Sequence, residues 1–291
     1  MTNTNLPHEW TLADSRKSQN EEQYYDELSG DRNAVLEYNQ VKFDDVSVTN
    51  MLGIGIDSMS RRQAVAKVIG MIRDGGVHHI IPMNPYKIMK FRSAVDLGVI
   101  ANKAAMHLPA GGGLLWASRR LNKPIKELIP LISFMMDLVR ISEIKEYRIF
   151  MVGAKPEIME MAFVNIRKSF PRIRIVGHHG GYFDRSRETA VVEAMRKSEA
   201  DIFFIGLGFP KEDQWIQKIK KDFQKGVFIS VGGSIDIISG TVKKAPDWFM
   251  ERSLDWFYRI LSKPWRIDKF MRTIFFFIRI WFKGIGAKKR K

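Results

Sequence analysis

Between Leu52 and Val231 the chain alternates short, branched apolar runs with longer stretches whose apolar residues recur at helical spacing. The segments Leu52–Ile56, His78–Met83, Ala104–Leu108, Arg148–Val152, Arg172–Val176, Ile202–Leu207 and Val227–Val231 have the length and branching of buried strands. Ala64, Val65, Val68, Ile69 and Ile72 share one helical face. Further helices are predicted over KIMKFRSAV, around Leu128 to Ile144, and from Pro156, Ser186 and Pro210. This alternation predicts an α/β fold over residues 49–247: a Rossmann-like, mostly parallel sheet with helices on both faces.

The most informative unit runs from Ala200 to Trp248. Its two apolar runs read as neighbouring parallel strands, each ending in glycine, Gly206 with Gly208 and Gly232 with Gly233. Between them Pro210 suits a first helical position, and Glu212 and Asp213 fall in the first turn. Ligands of open parallel sheets bind beyond the carboxyl ends of strands, where glycine admits close approach and a helix N-terminus offers N–H groups to an anion. A nucleotide diphosphate is one reading of this pattern, and plain tight turns are the other.

The flanks differ from this centre. Residues 1–48 are polar and aperiodic and read as a disordered acidic extension, with ten acidic side chains against four basic ones in residues 1–50. Residues 248–291 form a basic appendage, and the last forty residues carry twelve basic groups and two acids. On a helix Lys269, Arg272, Arg279 and Lys283 cluster on one side, opposite Phe270, Ile274, Phe277, Ile278 and Trp281. The apolar run is too short to span a bilayer, so the expectation is a helix lying on an anionic membrane surface. Nucleic acid is disfavoured, because strand-binding surfaces interleave cations and aromatics, whereas here they segregate.

Composition narrows the chemistry. The chain has no cysteine, which removes disulfides, thiolate metal sites and thiol nucleophiles. No metal-ligand spacing is present; the adjacent pairs His78–His79 and His178–His179 point to different sides of a strand or turn. No apolar leader stands at the N-terminus. Candidate ligand contacts are Gly111 after Pro109, Tyr182 in GHHGGYF, and Lys211 after Pro210. Arg259 and Arg266 add a guanidinium pair suited to a diphosphate.

Several ordered motifs, MNPYKI, HLPAGGGLLWASRRL, RIFMVGAKPEI, RIVGHHGGYF, ADIFFIGLGFPKEDQWI, ISVGGSIDIISGTVKKAPDW and LDWFYRILSKPWR, resemble the bacterial glycosyltransferases of the WecG/TagA/CpsF family from about Leu52 to Arg272. The resemblance implies inverting transfer of a hexosamine or hexose from a UDP-sugar to a polyprenyl-diphosphate-linked sugar in cell-envelope synthesis. It implies action on the cytoplasmic face of the membrane, with neither metal nor cofactor, and a C-terminal appendage that binds membrane and supplies arginines to the donor diphosphate. It carries candidate roles to Asn84, Arg259 and Arg266 in catalysis. For the substrate it points to Gly111, Gly153, Tyr182, Gly206, Gly208, Pro210, Lys211, Glu212, Asp213, Gly232, Gly233 and Asp236. The chain departs from the family pattern at several positions, and the nucleotide side of the cleft is better preserved than the acceptor side. Pro82 replaces the family's threonine, Ala110 the aspartate proposed as general base, and Glu212–Asp213 the usual Gln–Glu. These departures raise the alternative of a non-catalytic scaffold, and homo-oligomerisation stays open.

Overall fold

The computed structural model describes residues 38, 40–242 and 267–288. Strands β1 (Ser47–Met51) and β2 (Ile54–Ser58) pair antiparallel through Leu52 and Gly53, whose φ values are 56° and 96°. Two successive positive φ angles make a primed turn, whose twist matches that of the flanking strands. Helix α1 (Arg61–Asp74) starts from a capping box in which Ser60 and Gln63 each accept the other's backbone N–H. There follow β3 (Val77–Met83), α2 (Pro85–Ser93), α3 (Val95–Asn102), β4 (Met106–Pro109), α4 (Gly113–Arg120) and α5 (Leu131–Lys145). Next come β5 (Arg148–Gly153), α6 (Pro156–Ser169), β6 (Arg174–His179), α7 (Arg185–Lys197), β7 (Ile202–Gly206) and α8 (Lys211–Ile219). A 3₁₀ turn (Lys220–Asp222), strand β8 (Gly226–Ser230), α9 (Ser234–Ile238) and the long C-terminal α10 (Ile267–Lys288) complete the described elements.

Strands β3 to β8 form one parallel sheet in the order β4-β3-β8-β7-β5-β6. Successive side chains take opposite faces, as strand geometry requires. Ile202 and Phe204 pack with α1, α5 and α6, whereas Phe203 and Ile205 pack with α7 and α8. A third cluster joins Ile81 and Met83 to α2, α3, α4, the β1–β2 hairpin and α10. Pro82 is tolerated within β3 for a local reason. The carbonyls of His79 and Met83 accept from Ala105 and Ala110, just before and just after β4, so even-numbered residues of β3 face β8. The β3–β8 ladder ends at Ile80, so the N–H that proline lacks leaves no rung unmade.

The α/β sheet and its helical layers agree with the pattern read from the sequence, and the differences are local. Order starts before residue 49: Tyr38 is buried, with Arg62 over its ring at 5.8 Å, and β1 is a strand. Helices α3 and α4 are additional, and β6 begins two residues later than expected and takes in both His178 and His179.

The face of the C-terminal helix needs correction. Helix α10 docks on α2 and α4, with Thr273, Phe276, Ile280 and Gly284 buried. Phe277, expected to meet lipid, instead meets the edge of Trp116 at 5.1 Å, and a Cβ at Gly113 would lie 2.8 Å from its ring. Phe270 and Ile274 are half-buried. Ile278 and Trp281 are exposed, the latter beneath Arg120 at 4.7 Å. The exposed apolar stripe is Met271, Phe275, Ile278, Phe282 and Ile285, flanked by Arg272, Arg279 and Lys283. Apolar residues cover most of this helix's circumference, so a helical projection alone cannot say which arc meets the domain.

Candidate active site

Neighbouring strands β3 and β8 send their next helices to opposite faces of the sheet. Ile88 and Phe91 of α2 pack with Ile81 and Met83, while Ile235 and Ile238 of α9 pack with Ile80. A crevice therefore opens at the carboxyl ends of these strands, where ligands of open α/β sheets bind.

Glycines let the loops around this crevice close on one another. A Cβ at Gly111 would lie 2.6 Å from Asn84 Cβ, so the turn after β4 sits directly against the turn after β3. At Gly153 it would lie 2.5 Å from the Gly206 carbonyl, and at Gly206 2.8 Å from the Gly232 carbonyl. Gly208 and Gly232 have φ of 80° and 52°, which glycine adopts without strain. The structure thus brings together Asn84 with Gly111, and Gly153 with Gly206 and Gly232. Gly181 lies against Gly153 and Leu207, which sets Tyr182, a residue 77% exposed, beside the same strand ends. Gly233 is exposed, and Asp236 lies half-buried in the first turn of α9.

Polar side chains beneath the crevice form a network. Asn84 Oδ1 accepts the Lys87 N–H at 2.8 Å and caps α2. One turn on, Lys87 is buried, with Nζ 3.5 Å from Glu212 Oε1 and 3.6 Å from Asp213 Oδ2. Glu212 Oε2 accepts two backbone N–H groups, from Gly208 at 3.0 Å and Gly232 at 3.1 Å. Ser230 donates to Asp213 Oδ1 at 2.6 Å, and His79 Nε2 lies 3.2 Å from the same oxygen. Burial pushes Glu212 up to about 7 against the pull of Lys87. Burial acts the same way on Asp213, but Lys87, His79 and Ser230 outweigh it and hold this carboxyl at about 2. Burial also depresses His79.

Two expectations change here. The N–H groups of Gly208 and Gly232 face the protein's own Glu212 rather than a diphosphate. Glu212 and Asp213 point inward, while Lys211 is exposed and Pro210 occupies the cap position of α8. Arg259 and Arg266 lie outside the described residues. Sequence reasoning missed Lys87, His79 and Ser230. The signal for Lys87 was a cation within one turn of both Ile88 and Phe91, at the border of the helix's apolar side, a position that calls for a partner. Among the described residues no group of three or more His, Asp or Glu is arranged to hold a metal ion.

Across residues 49–290 the chain matches the glycosyl transferase WecG/TagA/CpsF family. It belongs to that family. The match spans the hairpin, the sheet, the crevice loops and α10. Relatives of this chain include the N-acetylglucosaminyldiphosphoundecaprenol N-acetyl-beta-D-mannosaminyltransferase of Staphylococcus aureus strain MW2. It is 29% identical over 234 residues, 79% of this chain and 91% of the relative. The proteins of that name from strains NCTC 8325 and MRSA252 match to the same extent, again at 29% identity.

Proposed function

We propose that this family member transfers a hexosamine of the N-acetylmannosamine class, or a hexose, from a UDP-sugar to a polyprenyl-diphosphate-linked sugar at the inner face of the cell membrane. The observation that carries this reading is the convergence of the family's motif-bearing strand ends, Asn84, Gly111, Gly206 and Gly232, on one crevice beside a docked basic helix. The relatives' names supply the acceptor chemistry, a sugar on diphosphoundecaprenol. Among the described residues no helix is long and apolar enough to cross a membrane. Support for a peripheral seat comes from the exposed stripe of α10 and its flanking Arg272, Arg279 and Lys283, a combination suited to anionic lipid.

In the inverting reaction an acceptor hydroxyl oxygen bonds to the anomeric carbon as the bond to UDP breaks, and a base takes the hydroxyl proton. The test is UDP release by purified protein on vesicles carrying a lipid-diphosphate sugar, with a panel of UDP-sugars. Acceptor-dependent release with one donor is expected, and donor hydrolysis that ignores the acceptor would overturn the reading.

One observation favours a second reading, a non-catalytic scaffold. Ala110 stands where the resemblance places a carboxylate base, half-buried, with its N–H on the Met83 carbonyl at 3.0 Å. Restoring a carboxylate decides between them: an inactive wild type in which Ala110→Asp creates acceptor-dependent transfer supports the scaffold, and an active wild type whose rate Ala110→Asp raises by roughly 10²-fold or more supports a slowed transferase. An unchanged rate would show that the proton leaves by another route.

A further inference from the structure

The Lys87–Glu212 pair ties together parts of the crevice that the sheet alone does not join. Lys87 belongs to α2, one turn from the Asn84 cap at the end of β3. Glu212 belongs to α8, and its Oε2 holds the loop after β7 through Gly208 and the loop after β8 through Gly232. Aromatic contacts brace the same junction. Lys87 Nζ lies 5.0 Å from the Phe209 ring, which meets the edges of Tyr86 and Phe91 at 5.8 and 5.2 Å. Both charged side chains are buried, so each depends on its partner rather than on bulk solvent. A glutamine, the residue the resemblance expects at 212, offers a carbonyl that accepts the same two N–H groups without charge. The glutamate adds a buried negative charge, and Lys87 is the cation that meets it.

We propose that Lys87 is a positioning residue: through Glu212 it fixes the two glycine loops, on the donor side, against the Asn84 turn on the acceptor side. The functional half of this inference rests on the transferase reading above. The contact is strongest with Glu212 ionised, because a proton on Oε1 replaces the acceptor that faces the ammonium. The other titratable or charged groups around the pair are Asp213 on α8 and His79 on β3, with Lys220 after α8 and His107 on β4 acting on His79 or close to it.

The experiment uses full-length protein labelled with ¹⁵N-glycine, titrated between pH 5 and 9, in wild type, Lys87→Met, Glu212→Gln and the double variant. In wild type the Gly208 and Gly232 amide signals are expected to move together with a midpoint near 7. Lys87→Met shifts that midpoint upward, because the ammonium that favours the carboxylate is gone, and Glu212→Gln abolishes the titration. Transfer assays on the same proteins are expected to show kcat falling about tenfold or more in Lys87→Met, with donor KM changing less. The double variant loses less than the product of the two single losses, since it restores a matched, uncharged pair. Amide titrations that Lys87→Met leaves in place overturn the proposal, as do losses that simply multiply in the double variant. Amides that titrate as expected in a protein that transfers no sugar would instead leave the positioning contact standing and sink the transferase reading.

Discussion

Glu212 and Asp213 are sequence neighbours on one helix turn, yet their surroundings drive their protons apart. Glu212 holds its proton to about 7 when folded, above its ordinary 4.5, so folding is expected to lose stability as pH rises from about 4.5 through 7. Asp213 behaves oppositely. Its folded value of about 2 lies below the ordinary 3.8, so its contribution is complete above 3.8 and is lost as pH falls toward 2. Denaturant unfolding between pH 4.5 and 8 is expected to carry a Glu212 contribution that declines by at most about 3 kcal/mol, set against the opposite rise from the depressed, buried His79 and His107, and Glu212→Gln removes that decline. A decline of equal size in that variant would place the titrating group elsewhere. At Gly111, where an added Cβ would meet Asn84 at 2.6 Å, alanine is expected to destabilise by about 1–3 kcal/mol, read as a lower unfolding midpoint. The glycines at the strand ends were legible as sites of close approach. What they approach was not, because the partner of Gly208 and Gly232 is a side chain whose inward direction depends on Lys87, a residue from a distant part of the chain.

At the scale of elements, the parallel strands and most helices follow from periodicity, since β5, β7 and β8 are near-continuous apolar runs bounded by turns. The hairpin did not show itself. Its turn is Leu52–Gly53 rather than the Asn–Gly or Asp–Gly that usually announces a primed turn, and β1 carries three exposed residues in five. Helix α3 was hidden for another reason: Ala94 breaks the run with φ −140°, splitting what reads as one helix into two. Helix α10 gives a direct test of which arc faces the domain. Phe276→Ala is expected to cost about 3–5 kcal/mol, as for a buried aromatic. Phe282, 68% exposed, should tolerate alanine within about 0.5 kcal/mol in solution. Equal losses at the two positions would mean that α10 is docked by a different face.

For the whole molecule, charge and shape meet at α10. Its inner arc closes the cluster formed by α2, α4 and the hairpin, while its outer arc presents Met271, Phe275, Phe282 and Ile285 beside Arg279 and Lys283. Replacing Phe275 and Phe282 by serine is expected to abolish flotation with anionic vesicles while leaving the fold intact by circular dichroism. Raising the salt should weaken the binding of wild type. Flotation that survives both changes would reject the proposed seat. That arrangement also alters what concentration means for the reaction. Phe277 of the docked helix rests on Gly113, two residues from the Gly111 turn, so the crevice and the proposed lipid-facing stripe belong to one packed unit. A protein seated this way samples its lipid-linked acceptor by diffusion in two dimensions. Its rate should then follow the mole fraction of acceptor in the bilayer, falling when inert lipid is added at constant bulk acceptor, while the water-soluble donor continues to obey its bulk concentration.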